Sequence, residues 1–569
     1  MQRMHCDLIF YNGKIVTVDN AFSIAEAVAI GGGTILKVGG NSEVRAVAES
    51  DTREIDLKGK MMVPGFVDTH PHVITWGIRK VTYSSIDGLS SIEDIKTRIA
   101  DEVKNKAPGE WVVTTPIGDS PYYLGVPGTL KEKRWPNRWD LDEASPDNPV
   151  FITAPSSQDP CTAVMNSYGL KLMAVDKNTP PEQQGVEILK DPDSGEPNGQ
   201  FHGMHPIYQY SPFYWKLAEM LPQPTYEEMV NGVRESIKER NAAGMTATYE
   251  AHSTIPRDLR IMRDIWAAGD LTMRCYFGYD IDPNMSLSEI ETWMKNMAHA
   301  TGRGFGDDWL KIGGVTVSID GPTQYGKSLM NRPYLGPYGD PAEGVQIWPT
   351  DKLKQIAVLA ARNNLRLNSC VAGDKAIDIT LEVFEAANEV VPIKEKRWVL
   401  QHIQFPSFEN IRKCKELGIM ITTCSNFEWG KGEEIYVNRL GGGEYCDRAV
   451  PFRDWLDGGV VATQTTDYGP YQPMFTIWQS LKRIDGLTGK SLMTPHKKIT
   501  REEAIRLYSN GARILFWEDK LGSIEAGKLA DLVVLDNDIL NCPLDEIKDT
   551  NVLLTMVGGK AVSDPMGWF

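Results

Sequence analysis

Val67-Asp68-Thr69-His70-Pro71-His72 sets two imidazoles two residues apart at the end of an extended apolar run, Met61-Met62-Val63-Pro64-Gly65-Phe66-Val67. Alternate side chains of a strand share a face, so the spacing predicts that His70 and His72 point the same way, with Asp68 behind them. That is what a metal ion requires of two ligands. An H-x-H pair is a weak signal by itself, but the chain has only nine histidines. A third, His402, ends another short apolar run, Arg397-Trp398-Val399-Leu400-Gln401-His402, and Asp467 ends Val460-Val461-Ala462-Thr463-Gln464-Thr465-Thr466-Asp467. Three imidazoles and a carboxylate at strand ends suit Zn²⁺, which takes nitrogen and oxygen ligands and keeps one position for water in catalytic sites.

The elements that must carry these residues alternate between strand-like runs and capped helices, the pattern of a parallel sheet with covering helices. Strands are expected at residues 66–72, 247–252, 314–320, 366–370, 398–402, 419–423 and 460–467, with one more in the long early region, making an eight-stranded β/α barrel of the TIM type. Such barrels keep their chemistry at the C-terminal ends of the strands, where every candidate ligand falls. Thr225-Tyr226-Glu227-Glu228 and Thr500-Arg501-Glu502-Glu503 match the capping box, and Gly244 and Gly418 stand where a helix-to-strand turn needs a left-handed residue. Residues from about 105 to 224 are rich in Pro, Gly, Asp and Trp, do not fit one βα repeat, and read as an insertion beside the barrel mouth. At the N-terminus, residues 7–11, the Asn12-Gly13 turn and residues 14–18 predict a hairpin, followed by strands around Gly31-Gly32-Gly33. Residues 531–535 and 552–557 mirror them, so the two chain ends are expected to pair in one small β domain.

The 569 residues suffice for one large barrel with additions, and a net charge of −16 argues against nucleic acid, whose phosphates demand a basic face. No run approaches the roughly 18 apolar residues of a membrane span. Eight scattered cysteines without a C-x-x-C pair fit reduced thiols, and a cytoplasmic location is expected. The expected partner is a small-molecule substrate, with no nucleic acid or membrane and with room for a homo-oligomer.

Val63-Pro64-Gly65-Phe66-Val67-Asp68-Thr69-His70-Pro71-His72, together with Gly522-Ser523-Ile524-Glu525-Ala526-Gly527-Lys528-Leu529-Ala530-Asp531-Leu532-Val533-Val534-Leu535, resembles the metal-dependent amidohydrolase superfamily. The insertion and Ala372-Gly373-Asp374-Lys375-Ala376 look like its large-chain branch, which includes N-substituted formamide deformylase-like proteins. The resemblance implies a distorted (β/α)8 barrel over residues 65–515, a β-sandwich built from residues 1–64 and 516–569, a metal centre, and hydrolysis of C–N or related bonds. It gives His70, His72, His402 and Asp467 as metal ligands, with Asp467 also shuttling the proton. Two positions depart from it: Thr316 stands where the branch usually has a carboxylated lysine, and Cys370 where it usually has a histidine. One divalent ion, most naturally Zn²⁺, is then favoured over two, held by His70, His72 and Asp467, with His402 on the metal or on the substrate. Cys370 is kept as a candidate soft ligand or a small buried residue. Glu250 and His252, two residues apart, are candidate replacement ligands, although a surface or loop role is the plainer reading.

The leading expectation is a hydrolase of an amide-like C–N bond, with Asp467 and His402 as catalytic residues. Two alternatives stay open, a metal-dependent lyase, hydratase or C–C bond hydrolase on a cyclic or aromatic substrate, and a binding protein with a disabled site. Gly321-Pro322-Thr323-Gln324-Tyr325-Gly326-Lys327-Ser328 spells a phosphate loop, but Met330-Asn331-Arg332-Pro333 forbids the helix that must follow, so it is read as lining the barrel mouth. Trp76, Phe427, Trp429, Tyr468 and Tyr471 are candidates for an apolar pocket, while His5, His202, His205, His299 and His496 receive no role.

Overall fold

The computed structural model describes residues 5–155, 161–183, 186–204, 212–252, 254–337, 339–492 and 497–569; His205 and His496 lie outside them. Eight parallel strands form one sheet in sequence order: β1 (Phe66–Asp68), β2 (Met245–Glu250), β3 (Arg274–Asp280), β4 (Leu310–Ser318), β5 (Leu367–Val371), β6 (Val399–His402), β7 (Met420–Thr423) and β8 (Ala462–Gln464). Helices run between them, and both expected capping boxes are present: Thr225 accepts from the Glu228 amide while Glu228 accepts from the Thr225 amide, and Thr500 and Glu503 do the same. Gly418 closes the helix before β7 with φ +69°.

The remaining strand is β3, which lies after β2 and not in the early region where it was expected. The early region instead builds its own six-stranded sheet, with Val112–Thr114, Val150–Ile152 and Ala163–Met165 on one side and Pro197–His202, Val186–Lys190 and Glu182–Gln183 on the other. It has a separate apolar core around Phe151, Met165, Ile188 and Phe201.

No backbone ladder joins β1 to β8 among the described residues. Side chains span that seam. The Thr69 hydroxyl lies 2.6 Å from that of Thr422 and 2.8 Å from that of Thr463. The fully buried Asp68 carboxylate accepts from the Thr465 hydroxyl, the Thr466 hydroxyl and amide, and the His70 amide, at 2.5 to 3.1 Å. Removing it strands four buried donors, so Asp68→Ala is expected to lower the unfolding free energy by about 3 kcal/mol. Urea unfolding followed by circular dichroism checks this; an unchanged midpoint would refute the role of Asp68 as the seam's anchor.

The chain ends meet in one six-stranded sheet, where Leu532–Leu535 pairs antiparallel with Met61–Pro64. A four-stranded sheet shares its core through Phe10, Val28 and Ile55 packed with Met62, Val534 and Leu554. The predicted hairpin does not form: the chain turns at Asn12, φ +55°, but Leu8–Tyr11 enters the four-stranded sheet and Lys14–Val16 the six-stranded one. The run 61–67 is likewise two strands, broken at Gly65, where a Cβ would lie 2.2 Å from the Thr246 side chain. A buried two-pronged ion pair, Arg274 Nε and Nη2 to Asp531 at 2.8 and 3.0 Å, ties β3 to the terminal sheet. No described helix is long and apolar enough to cross a membrane, and no disulfide joins the cysteines, seven of which are buried.

Candidate metal centre

His70 and His72 do come together, but not by strand alternation, because β1 ends at Asp68. His70 follows in a bend with its amide on Asp68 Oδ1, and His72 takes a left-handed conformation, φ +51°, as the residue just before helix Val73–Thr82. His402 at the end of β6 and Asp467 just past β8 are also left-handed, with φ +68° and +49°. Each such residue costs about 1–3 kcal/mol and persists only where its surroundings over-determine it. Those surroundings are visible: Thr423 Oγ1 donates to the His402 carbonyl at 2.6 Å, and the Val73 amide, first of its helix, donates to Glu250 Oε1 at 2.8 Å.

The four candidate ligands converge. Asp467 lies 3.2 Å from His72 Nε2, 3.8 Å from His70 Nε2 and 3.7 Å from His402 Nδ1. The His70 ring is 4.7 Å from that of His72 and 4.6 Å from that of His402, centre to centre. His252 joins them, its ring 5.3 Å from that of His70: it does lie in the bend after β2, but the surface reading is wrong, because it is buried at the barrel mouth. Potential ligand atoms group as His70, His72 and Asp467, and again as His70, His252 and His402, each set within 4.8 Å. Glu250 is buried too, but it serves as the cap of the helix that follows His72 and is not in either group.

Burial governs the charges. It drives His70 and His252 well below the usual imidazole range and His402 to about 4, helped by repulsion among neighbouring rings. These are neutral rings, the form that ligates. Burial opposes charge on Asp467 as well, yet the His72 hydrogen bond and the adjacent rings hold its carboxyl below the ordinary carboxylate range. Glu250 rises to about 7 through burial, against the pull of His72 and the Val73 amide. His70 Nε2, fully buried, has no hydrogen-bond partner. Burial opposes charge on His72 too, yet its hydrogen bond to Asp467 and that carboxylate's charge lift it above the ordinary imidazole value. Three neutral imidazoles and a fourth tied to a charged carboxylate, with a buried ring nitrogen left over, fit a divalent cation.

Cys370 does not enter either ligand group. Burial pushes its thiol far up, and Sγ donates to Gln401 Oε1 at 3.0 Å on the neighbouring strand. Thr316 is fixed in the sheet, donating to the Ala251 carbonyl and accepting from Asn368 Nδ2 at 3.2 Å.

A cavity of about 210 Å³ opens on the centre. Of the aromatic candidates, Phe427 and Tyr468 line it, whereas Trp76, Trp429 and Tyr471 do not. Gly321, Pro322, Gln324 and Tyr325 of the loop after β4 also line it, as does Tyr122 from the insertion. Sequence reasoning missed Asp320, Gln404 and Lys431. Asp320 and His252 had a usable signal, a polar residue just past a strand; Lys431, five residues into a helical stretch, had none.

The sequence profile of the amidohydrolase family matches residues 53–563. The chain is 28% identical to an N-substituted formamide deformylase of Arthrobacter pascens, over 97% of each chain. It is 25% identical to Protein LONG AFTER FAR-RED 3 of Arabidopsis thaliana, over 97% of this chain and 91% of that one. Its fold matches that of an uncharacterized metal-dependent hydrolase from Pyrococcus horikoshii OT3, with a TM-score of 0.70, 21% identity, and 95% and 99% of the two chains covered. Eight parallel strands with histidines and an aspartate at their C-terminal ends, and a family profile spanning most of the sequence, agree: this chain belongs to the amidohydrolase family.

Proposed function

We propose that the protein hydrolyses an amide-like C–N bond at a centre holding one divalent ion, Zn²⁺ by the donor set, with His70, His72 and Asp467 as its ligands. The convergence of those three side chains around the unsatisfied His70 Nε2 carries the reading. A cation bound there supplies Lewis acidity, acidifying water and polarising a carbonyl. Asp467, held ionised among the imidazoles, accepts the water's proton and returns it to the departing amine. His402, neutral, only partly exposed and lining the cavity, faces the carbonyl oxygen. Glu250 keeps His72 in place by anchoring the helix that starts beside it. The resemblance to an N-substituted formamide deformylase supports an amide as substrate. We also read the two terminal sheets, which share one core, as a single β-sandwich domain.

Amine release from a panel of N-substituted formamides and N-acyl compounds tests the reaction. Dipicolinate treatment is expected to abolish release, Zn²⁺ to restore it, and elemental analysis to return about one metal per active chain. Turnover that survives metal removal would refute the proposal.

A further inference from the structure

Lys431 ends the helix Asn426–Lys431 that follows β7, and its side chain lines the cavity although the residue is only 6% exposed. It makes no hydrogen bond and no ion pair among the described residues; the neighbour of its ammonium is the face of the Phe427 ring, 4.4 Å away. That same ring stands 5.6 Å from the His402 ring, which places the cation one aromatic side chain from the candidate centre. Beyond Lys431 the chain widens into a π-type turn, with the Leu440 amide donating to the Ile435 carbonyl five residues back. Such turns are rare and concentrate at functional sites.

A second buried donor faces the same cavity. Gln404 is 2% exposed, and its Oε1 accepts from the Tyr436 hydroxyl at 3.2 Å and from the Thr323 hydroxyl at 3.5 Å. With the oxygen occupied by two hydroxyl donors, the amide's Nε2 is the end left to donate. The cavity's own carboxylates make no ion pair with Lys431 among the described residues: Asp320 accepts from the amides of Leu329, Ala372 and Gly373 at 2.8 to 2.9 Å, and Asp467, hydrogen-bonded with His72, attracts the ammonium only through space and does not outweigh its burial. A buried ammonium costs several kcal/mol unless a counter-charge reaches it. Phe427 offers a cation–π contact, which offsets only part of that cost.

We infer that Lys431 and Gln404 form an anion-binding subsite for a carboxylate carried by the substrate, so that the preferred substrates are amides bearing a free carboxylate close to the scissile bond. This rests on the hydrolase reading for the word amide but not for the anion. The small cavity, below the roughly 300–1,000 Å³ of common ligand sites, restricts the substrate to a compact molecule, and the apolar wall of Phe427, Val371 and Ala372 favours a hydrocarbon body.

Calorimetric titration of the metal-loaded protein with 3-phenylpropanoate and with its uncharged amide tests this directly. The wild type is expected to bind the carboxylate at least about tenfold more tightly, and Lys431→Met to lose that preference. Lys431→Arg, which keeps the charge, should retain most of it, and Gln404→Leu should weaken it by a smaller factor. Elemental analysis of each sample separates this preference from carboxylate capture by the metal: a preference that survives in Lys431→Met with metal unchanged overturns the inference. Equal affinities in the wild type, or no binding of either probe, overturn it as well. If the preference vanishes in Lys431→Met while no amide in the panel is cleaved, the subsite stands and the hydrolase reading falls.

Discussion

Asp467→Asn is expected to cut kcat by about 10²- to 10⁴-fold, the range for loss of a general base that also serves as acid. The substituted amide keeps the shape of the carboxylate and can still accept from His72 Nε2, now 3.2 Å away, so cooperative melting should persist. What it cannot do is take a proton. The carboxyl lies on the far side of the barrel seam from His70 and His72, yet within 4 Å of three imidazoles, and no other carboxylate among the described residues is so placed. Steady-state rates of amine release, with metal content measured on the same samples, check this. A rate within twofold of wild type at full metal occupancy would remove Asp467 from the mechanism.

The double variant His70→Ala His72→Ala is expected to lose bound metal altogether and fall to background turnover. His70 belongs to both groups of potential ligands at the barrel mouth, so neither survives its removal; the remaining group among the described residues, His5, Glu49 and Asp51, is exposed on the terminal domain. The stability readout is independent of activity: a ligand bound only to the native state, at a thousand times its dissociation constant, adds about 4 kcal/mol. Zinc should raise the melting temperature of the wild type and leave that of the double variant unmoved. Stoichiometric zinc in the double variant would show that the ion, if any, sits elsewhere.

Seven of the eight barrel strands were legible because each is a short apolar run bounded by a turn residue and a capped helix. β3 escaped because Arg-Cys-Tyr-Phe-Gly-Tyr-Asp begins and ends with a charge and carries a glycine in its interior. Its arginine is buried only because Asp531, more than two hundred residues on, neutralises it, and no local pattern reports such a partner. The terminal hairpin failed for a related reason: Asn12-Gly13 specifies a turn but not which sheet each arm will join. At the site, residue types carried more than geometry did. His70, His72, His402 and Asp467 converge, but through left-handed bends beyond the strand ends, and strand periodicity was the wrong argument for a correct juxtaposition. His252 was undervalued because a pair of polar residues two apart is a weak motif by itself, and only the fold shows that Glu250 is a buried helix cap and His252 a neighbour of His70. Lys431 was invisible, since only the folded cavity distinguishes it from a solvated lysine.

The gap between β1 and β8 has a mechanical meaning. A hoop whose first and last staves touch through threonine hydroxyls and one carboxylate is weakest at that line. The candidate ligands hang from opposite lips of it, His70 and His72 from one and Asp467 from the other. Any ion shared among them acts as a clasp. Loading the centre and fastening the hoop become one event, and the chain's resistance to springing open is then set by the same atoms that would carry out its chemistry.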